Sequence, residues 1–194
     1  MENINNKYLP QNIKDYLIKR EISSYAIYNW GIEYREFYRR KYITIPIYDQ
    51  DGKTIFFKLR KDPFAKNNKP KYIIYPKGIS HIIYGQENLS TSGEKIIICE
   101  GEFDRLAIES RNIPAITSTG GSGYFKKEWI ENGELAHYKN IYICFDNDEA
   151  GKKGSLKVLS ILKDLGYRNI YNIEIPPYMG KDITEFLQNG GILP

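Results

Sequence analysis

Two runs of consecutive apolar residues, 96–99 and 141–145, each end in acidic residues, and this repetition constrains the fold more than any other feature of the chain. Neither run alternates polar with apolar residues, which is typical of strands covered on both faces of a parallel sheet. A glycine and a stretch of helical periodicity follow each run. Each run therefore predicts a strand, a turn and a helix, and two such units predict an α/β fold.

The acidic residues lie where a ligand site forms in open α/β sheets, beyond the carboxyl ends of the strands. They are Glu100 and Asp104, Asp146 and Asp148, and, after an apparent third strand at residues 169–175, Asp182. Asp146 and Asp148 are two residues apart, so in extended backbone their side chains point to the same side. Converging carboxylates repel each other unless a cation neutralises them, and hard oxygen ligands suit Mg²⁺ or Mn²⁺. The pattern therefore predicts a divalent metal site for phosphoryl transfer.

Two other interpretations of the Asp146 and Asp148 pair stay open. The two acids can cap the following helix by accepting hydrogen bonds from its free amides. An aspartyl phosphatase of the haloacid dehalogenase type also has Asp-x-Asp after an apolar strand, with the first Asp as nucleophile. The Thr usual in that class two positions after the second Asp is Ala150 here, which makes the phosphatase a minor rival.

Three segments contain the acidic residues: Glu-Gly-Glu-Phe-Asp at residues 100–104, Asp-Asn-Asp-Glu-Ala-Gly at 146–151 and Lys-Asp-Ile-Thr-Glu-Phe-Leu at 181–187. Taken in this order, they resemble the Toprim domain shared by DnaG-type primases, phage primase-helicases, topoisomerases and some nucleases. The second and third segments are most similar to the primase branch. The resemblance implies a Toprim domain over residues 93–194, with a Rossmann-like, mostly parallel sheet and flanking helices.

The residues before this domain resemble, more loosely, the amino-terminal part of a primase polymerase core. The resemblance implies a small mixed α+β subdomain over residues 1–92, whose basic residues face the template and the nucleoside triphosphates. The basic positions implied are Lys58, Arg60, Lys71 and Lys77. Charge supports the division independently, because residues 1–93 hold 16 basic and 9 acidic residues, whereas residues 94–194 hold 12 and 15. A basic half of this kind can bind phosphates.

The resemblance also implies roles for the acidic residues. Asp146, Asp148 and Asp182 would hold one or two Mg²⁺ or Mn²⁺ ions. Glu100 would be either a further ligand or the group that helps to move a proton, so that the implied catalytic set is Glu100, Asp146 and Asp148. The supporting positions implied are Asp104, Gly101, Gly151 and Lys181.

The function expected from this resemblance is primer synthesis by a DNA-directed RNA polymerase, which joins ribonucleoside triphosphates on a single-stranded DNA template. Two alternatives remain, a Toprim-type Mg²⁺-dependent nuclease and a nucleic-acid-binding Toprim module without polymerase activity. A replicative helicase is a further expected partner, in cis or in trans, because the chain ends at Pro194 soon after the third motif, as part of a longer primase-helicase would. The abundance of Ile, Lys, Asn and Tyr fits an AT-rich phage or plasmid genome.

The apolar runs are only a few residues long and the first residues lack the features of a signal peptide, so the sequence predicts a cytoplasmic protein without a membrane span. Periodicity predicts helices at residues 11–20 and 24–30, strands at 41–48, 53–60 and 115–118, and a linker at 88–93. Each of two further segments is open to two interpretations. The mixture of aromatic and basic residues at 34–42 can stack on unpaired bases or form an ordinary solvated surface, and the glycine-rich residues 120–123 can contact a phosphate or form a tight turn.

Overall fold

The computed structural model describes residues 9–66 and 70–194. Residues 1–8 and 67–69 of the predicted amino-terminal subdomain lie outside this range. The amino-terminal half begins with α1 (Gln11–Lys19) and α2 (Ser24–Asn29). An antiparallel sheet of order β1-β2-β3-β4 follows, with β1 (Glu33–Phe37), β2 (Arg40–Tyr48), β3 (Thr54–Lys61) and β4 (Tyr72–Tyr75). Both predicted helices and both predicted strands of this half are confirmed within one or two residues, whereas β1 and β4 were not predicted as strands.

The two faces of this antiparallel sheet have different neighbours. Its inner face carries Ile43, Ile45 and Ile47, which are fully buried in a core shared with the other half of the chain. On its outer face the β1–β2 hairpin curls over the sheet. Phe37, at the hairpin tip, pairs with Arg40, yet its ring lies 4.8 Å from the ring of Tyr75 on β4.

The carboxyl-terminal half is built on a sheet of order β5-β7-β6-β8-β9. The strands are β5 (Ile83–Tyr84), β6 (Gly93–Cys99), β7 (Ala115–Ser118), β8 (Tyr138–Cys144) and β9 (Ile170–Asn172), and the helices are α3 (Glu102–Glu109), α4 (Glu149–Asp164) and α5 (Ile183–Gln188). Strands β7, β6, β8 and β9 are parallel, and β5 is antiparallel to β7. The predicted fold class is confirmed.

The absence of alternation in β6 has a direct cause, because both faces of this sheet are covered. Ile96 and Ile98 point into a core that includes Val158 of α4, whereas Ile97 points into the other core, with Leu106 of α3. The core that contains Ile97 also contains the inner face of the antiparallel sheet. The carboxyl ends of β6 and β8 therefore lie opposite that inner face.

The connection between the two halves is packed against the parallel sheet. Ile83 and Tyr84 pair with Ser118 and Thr117 of β7, although they precede the boundary predicted at residue 92. Residues 86–90 form a short 3₁₀ helix, in which the Asn88 side chain is buried and donates to the Ala115 carbonyl. The segment predicted as a linker is thus part of the fold, and the boundary itself stays a prediction. No helix in the described ranges is long and apolar enough to cross a membrane.

Candidate functional site

A cavity of about 680 Å³ lies between the two halves of the protein, where the carboxyl ends of β6 and β8 face the inner side of β3 and β4. Four of the predicted acids line it from the carboxyl-terminal half: Glu100, Asp104, Asp146 and Asp182. All four predicted basic residues line it from the other half: Lys58, Arg60, Lys71 and Lys77. Cationic and anionic side chains thus face each other across one space. Asp148 lies outside the residues that line this cavity.

The acids are held in place by the first turns of the helices that follow the strands. Asp148 is the N-cap of α4 and accepts a hydrogen bond from the Gly151 amide at 2.8 Å. Asp182 is the N-cap of α5 and accepts from the Glu185 amide, also at 2.8 Å. The capping interpretation is therefore correct for Asp148, and it extends to Asp182. Each cap uses one carboxylate oxygen, so capping does not prevent the other oxygen from binding a cation.

Main-chain contacts join the three acidic segments. The Asp146 amide donates to Glu100 Oε2 at 3.1 Å, which connects the ends of β8 and β6. The Asn147 amide donates to the Lys181 carbonyl at 2.8 Å, which connects the second segment to the third. Lys181 thus acts in this arrangement through its backbone, while its side chain is exposed and pairs with Glu185 at 3.4 Å.

Gly151 allows α4 to begin directly against the backbone of Asp146. A Cβ atom at position 151 would lie 2.1 Å from the Asp146 carbonyl oxygen, a distance that only a shift of the backbone could relieve. Glycine at this position therefore sets how closely the helix approaches the acids.

We expect Gly151→Ala to displace the start of α4 and with it both Asp146 and Asp148. The thermal midpoint should fall by about 2–12 °C, since overpacking costs about 1–3 kcal/mol. Divalent-metal affinity, measured by calorimetric titration, should fall as well. Gly123→Ala is the matched control, because a Cβ at position 123 would meet no atom within 4 Å. Equal stability and equal metal affinity in the two variants would contradict this account of Gly151.

Negative charge accumulates at the acidic side of the cavity. Burial, followed by the charges of Asp104, Glu100, Asp182 and Asp148, raises the pKa of Asp146 to about 8. Burial and the charge of Asp182 raise the pKa of Asp104 to about 7, against the opposing effect of Arg20. Burial also raises the pKa of Glu100. These carboxylates ionise together only at a cost that a bound cation would remove.

Within the part of the chain that is described, no group of three or more His, Cys, Asp or Glu side chains is arranged so that it could hold a metal ion. The donor set nevertheless suits Mg²⁺ or Mn²⁺, because it consists of carboxylates whose pKa values are raised by burial and by the negative charges around them. The chemistry of the site therefore fits a hard divalent cation.

The raised pKa values predict how stability depends on pH without metal. Asp104 and Asp146 bind protons more tightly in the folded state, so their contribution to stability is complete below about pH 4 and is lost as the pH rises to about 7–8. We expect the thermal midpoint of the Asp104→Asn variant to fall less than that of the wild type between about pH 5 and pH 8. Mg²⁺ should raise the wild-type midpoint more at pH 8 than at pH 5. Parallel pH profiles for the two proteins would exclude this charge coupling.

The basic side of the cavity is anchored by buried contacts. Lys58 forms an ion pair with Glu102 of α3, and its Nζ also donates to the Thr119 carbonyl at 2.8 Å. Lys58 therefore already bridges the two halves. Burial and the charges of Arg60 and Arg20 lower the pKa of Lys71, whereas Asp104 and Asp146 oppose that change.

Arg60 is enclosed by aromatic rings. Its guanidinium donates to the hydroxyl of Tyr16 at 2.6 Å and to that of Tyr72, and it lies 4.2 Å from the ring centre of Phe103. These contacts orient the guanidinium while leaving it at the wall of the cavity.

Sequence reasoning missed three residues that line or support the cavity. Arg20 lies at the end of α1, and its guanidinium is 3.8 Å from the Asp182 carboxylate. Glu102 lies within the first acidic segment, where the sequence predicted no role for it, and it pairs with Lys58. His81 lines the cavity next to the ring of Tyr124 at 4.6 Å, and its Nδ1 is buried without a hydrogen-bond partner. Only tertiary packing brings these residues to the site, so no local pattern indicated them.

Comparison with known proteins identifies the carboxyl-terminal half. Residues 97–187, which contain all three acidic segments, match the family model described as Toprim-like. This region has the fold and the acidic motifs of a Toprim domain. Its assignment favours the Toprim interpretation of Asp146 and Asp148 over that of a haloacid dehalogenase-type phosphatase.

Relatives that match more than two thirds of the chain include proteins named DNA primase. The chain is 30% identical to the DNA primase of Clostridium acetobutylicum over 161 residues, which is 78% of this chain and 25% of that protein. It is 29% identical to the DNA primase of Thermotoga maritima over 156 residues, or 77% of this chain and 26% of the relative. It is also 28% identical to the uncharacterized protein MG010 of Mycoplasma genitalium over 71% of this chain and 62% of the relative. The chain thus spans about a quarter of the length of these two primases.

Solved structures share the fold of both halves. The zinc-binding and RNA polymerase domains of Aquifex aeolicus primase align with a TM-score of 0.76 at 20% identity, over 94% of this chain and 53% of that one. The E. coli primase catalytic core aligns with a TM-score of 0.71 at 20% identity, over 93% and 70%. These alignments extend beyond the Toprim domain, so the antiparallel sheet with its helices also has the fold found in primase cores. The expected resemblance to the primase branch is confirmed.

Proposed function

We propose that the protein is the catalytic core of a DNA primase, which synthesises short RNA primers on single-stranded DNA by divalent-metal-dependent nucleotidyl transfer. One observation carries the proposal: basic residues in or next to strands β3 and β4 and acidic residues of the Toprim domain line a single cavity. Relatives named DNA primase over more than three quarters of the chain support it. In this reaction a 3′-hydroxyl attacks the α-phosphate of the next triphosphate, and pyrophosphate leaves.

The acids of the Toprim domain would form the metal side of this reaction. Glu100, Asp146, Asp148 and Asp182 would hold Mg²⁺ or Mn²⁺, which neutralises phosphate charge and aligns the reacting oxygens when bound. Glu100 would serve as a ligand or hold a proton, since burial raises its pKa. Asp104, deeper in the cavity wall, would support these groups together with Gly101, Gly151 and Lys181.

The basic residues would hold the phosphates. Lys71 and Lys77 line the cavity opposite the acids, and the ring contacts of Arg60 hold its guanidinium ready for bidentate contact with a phosphate. Lys58 would contribute positive potential while remaining paired with Glu102. A triphosphate bound between the two sets would have its charge balanced on both sides.

The other proposed partners are those found in similar structures. One solved neighbour is a DnaG primase catalytic domain bound to single-stranded DNA, and another is a fragment of the bacteriophage T7 primase-helicase. We therefore include a single-stranded template and a helicase, in cis or in trans, in the proposal. The cytoplasmic location expected from the sequence stays a prediction.

A product assay tests this function. The protein is incubated with labelled single-stranded DNA and ribonucleoside triphosphates, with Mg²⁺, with Mn²⁺ or with a chelator. A primase yields new oligoribonucleotides only with metal, whereas a Toprim nuclease shortens the labelled strand and a binding module does neither. The nuclease and the binding module are not favoured, because the named relatives and the similar folds are those of primases. Shortened strands without new RNA would reverse that preference.

A further inference from the structure

His81 is a polar residue of the cavity wall to which the proposed reaction assigns no role. It lies in the connection between β4 and β5, and it lines the cavity together with Thr119, Gly120 and Gly121. Its Nδ1 is buried and has no hydrogen-bond partner among the described residues. A buried polar atom without a partner costs folding free energy, so a side chain of this kind at a ligand cavity is a candidate for contact with the ligand.

The backbone beside His81 is fixed by Thr119. The Ile82 amide donates to Thr119 Oγ1 at 3.0 Å, and the Thr119 amide donates to the Ile82 carbonyl at 2.9 Å. The Thr119 carbonyl in turn accepts from Lys58 Nζ at 2.8 Å. His81 is therefore held, through one residue, at a defined place relative to the basic wall of the cavity.

A glycine places an aromatic ring next to the imidazole. A Cβ atom at position 120 would lie 2.5 Å from Tyr124 Cγ, so Gly120 lets the tyrosine side chain lie against the backbone. The Tyr124 ring meets the His81 ring edge to face at 4.6 Å, and Tyr124 is 52% exposed. The torsion about the Cβ–Cγ bond of histidine is broad. A rotation of the imidazole beside this half-exposed ring therefore brings Nδ1 to a ligand in the cavity.

The same loop reaches the acidic wall of the cavity at its other end. Burial raises the pKa of Glu100, and a hydrogen bond with the Ser122 side chain opposes that change. Three residues of backbone between Thr119 and Ser122 span at most about 11 Å. A nucleotide whose phosphates lie at the acidic wall can thus present its sugar to His81.

We propose that His81 binds the 2′-hydroxyl of the incoming nucleotide and so selects ribonucleotides over deoxyribonucleotides. The inference rests on the proposed function for the triphosphate in the cavity, and it adds the sugar specificity of that site. An imidazole nitrogen can accept a hydrogen bond from a hydroxyl or donate one to it. A deoxyribonucleotide offers no hydroxyl at this position and leaves Nδ1 unpaired. Sites built to pair with a substrate hydroxyl reject the analogue that lacks it.

Equilibrium binding of three nucleotides tests the proposal. ATP, 2′-deoxy-ATP and 3′-deoxy-ATP are each titrated into the protein in a calorimeter with Mg²⁺ present. His81→Phe keeps a flat ring beside Tyr124 and removes both ring nitrogens, whereas His81→Asn keeps a group that can donate and accept. The matched control is His137→Phe, because His137 is the other histidine of the chain and is exposed.

We expect the wild type to bind ATP about tenfold more tightly than 2′-deoxy-ATP, the effect of one hydrogen bond, and to bind 3′-deoxy-ATP like ATP. His81→Phe should lose this preference through weaker binding of ATP, with the affinity for 2′-deoxy-ATP unchanged. His81→Asn should keep part of the preference, and the control should behave like the wild type. Without nucleotide, the thermal midpoint of His81→Phe should equal or exceed that of the wild type, since an unpaired buried atom has been removed.

Equal affinity of the wild type for ATP and 2′-deoxy-ATP would overturn the inference, as would an undiminished preference in His81→Phe. Discrimination against 3′-deoxy-ATP instead would assign His81 to the other hydroxyl and overturn the selection of ribose. A lower midpoint with equal loss of affinity for all three nucleotides would leave His81 a structural role only. Failure of the proposed function has a different signature, because a protein that makes no RNA can still prefer ATP in this titration.

Discussion

Replacing Asp146 with Asn should abolish metal-dependent RNA synthesis, with a loss of about a thousandfold or more, while the fold stays intact. Burial and the charges of four neighbouring carboxylates raise the pKa of Asp146 to about 8. Asn has the same shape but cannot supply the negative charge that a divalent ion needs. The main-chain amide of residue 146 still donates to Glu100 Oε2, so this contact between the ends of β8 and β6 is retained.

The measurement is dinucleotide formation from ribonucleoside triphosphates on a single-stranded template, together with calorimetric titration of Mg²⁺ and Mn²⁺. Asp164→Asn, at the exposed end of α4, is the control for loss of one negative charge on the Toprim domain. Without metal at pH 8, the midpoint of Asp146→Asn should not fall, because the variant removes repulsion. Synthesis at the wild-type rate in Asp146→Asn would remove this residue from the proposed site.

Lys58→Met should destabilise the protein by about 3–5 kcal/mol, the cost of leaving one member of a buried ion pair without its partner. Lys58 is 8% exposed and Glu102 is 1% exposed, so the Glu102 carboxylate could not recover its hydration. The pair also joins β3 to α3, and its loss weakens contact between the two halves. Urea unfolding monitored by circular dichroism measures the effect.

The double variant Lys58→Met/Glu102→Gln should recover much of the lost stability, since it removes both buried charges. The matched control is Lys139→Met, because Lys139 pairs with Glu94 on the surface, where the side chains are 70% and 72% exposed. That substitution should cost less than about 1 kcal/mol. Equal costs for the buried and the exposed pair would show that Lys58 does not act as a structural bridge. A stable double variant without RNA synthesis would indicate that Lys58 also contacts the nucleotide.

The core of the fold could be predicted from sequence because its strands carry a strong local signal. The last four residues of β6 and of β8 are apolar without alternation, since each strand has a helix on one face and further core on the other. Strand β1 was missed because its residues, Glu-Tyr-Arg-Glu-Phe, are mostly polar and its exposed side faces solvent at the hairpin. Strand β5 has two residues, too few for a periodic pattern, and depends on pairing with β7.

The positions of the acidic residues were predictable for the same reason, because parallel strands bring their carboxyl ends to one edge. Their partners were not. The contact of Arg20 with Asp182 and that of Lys58 with Glu102 join residues 162 and 44 positions apart in the chain. Such pairs depend on how the two halves pack, which no local spacing encodes. The hydrogen bond that the Lys181 carbonyl accepts from the Asn147 amide could not be predicted either, because a sequence motif indicates side chains and not backbone contacts.

The pairing of β5 with β7 makes the Toprim sheet incomplete when it is cut from the residues that precede it. A fragment starting at residue 93 would lack Ile83 and Tyr84, and the backbone groups of Thr117 and Ser118 would become an open edge. Open strand edges recruit other chains, so such a fragment would be prone to self-association. A fusion protein that contains this Toprim domain should therefore also include residues 82–92.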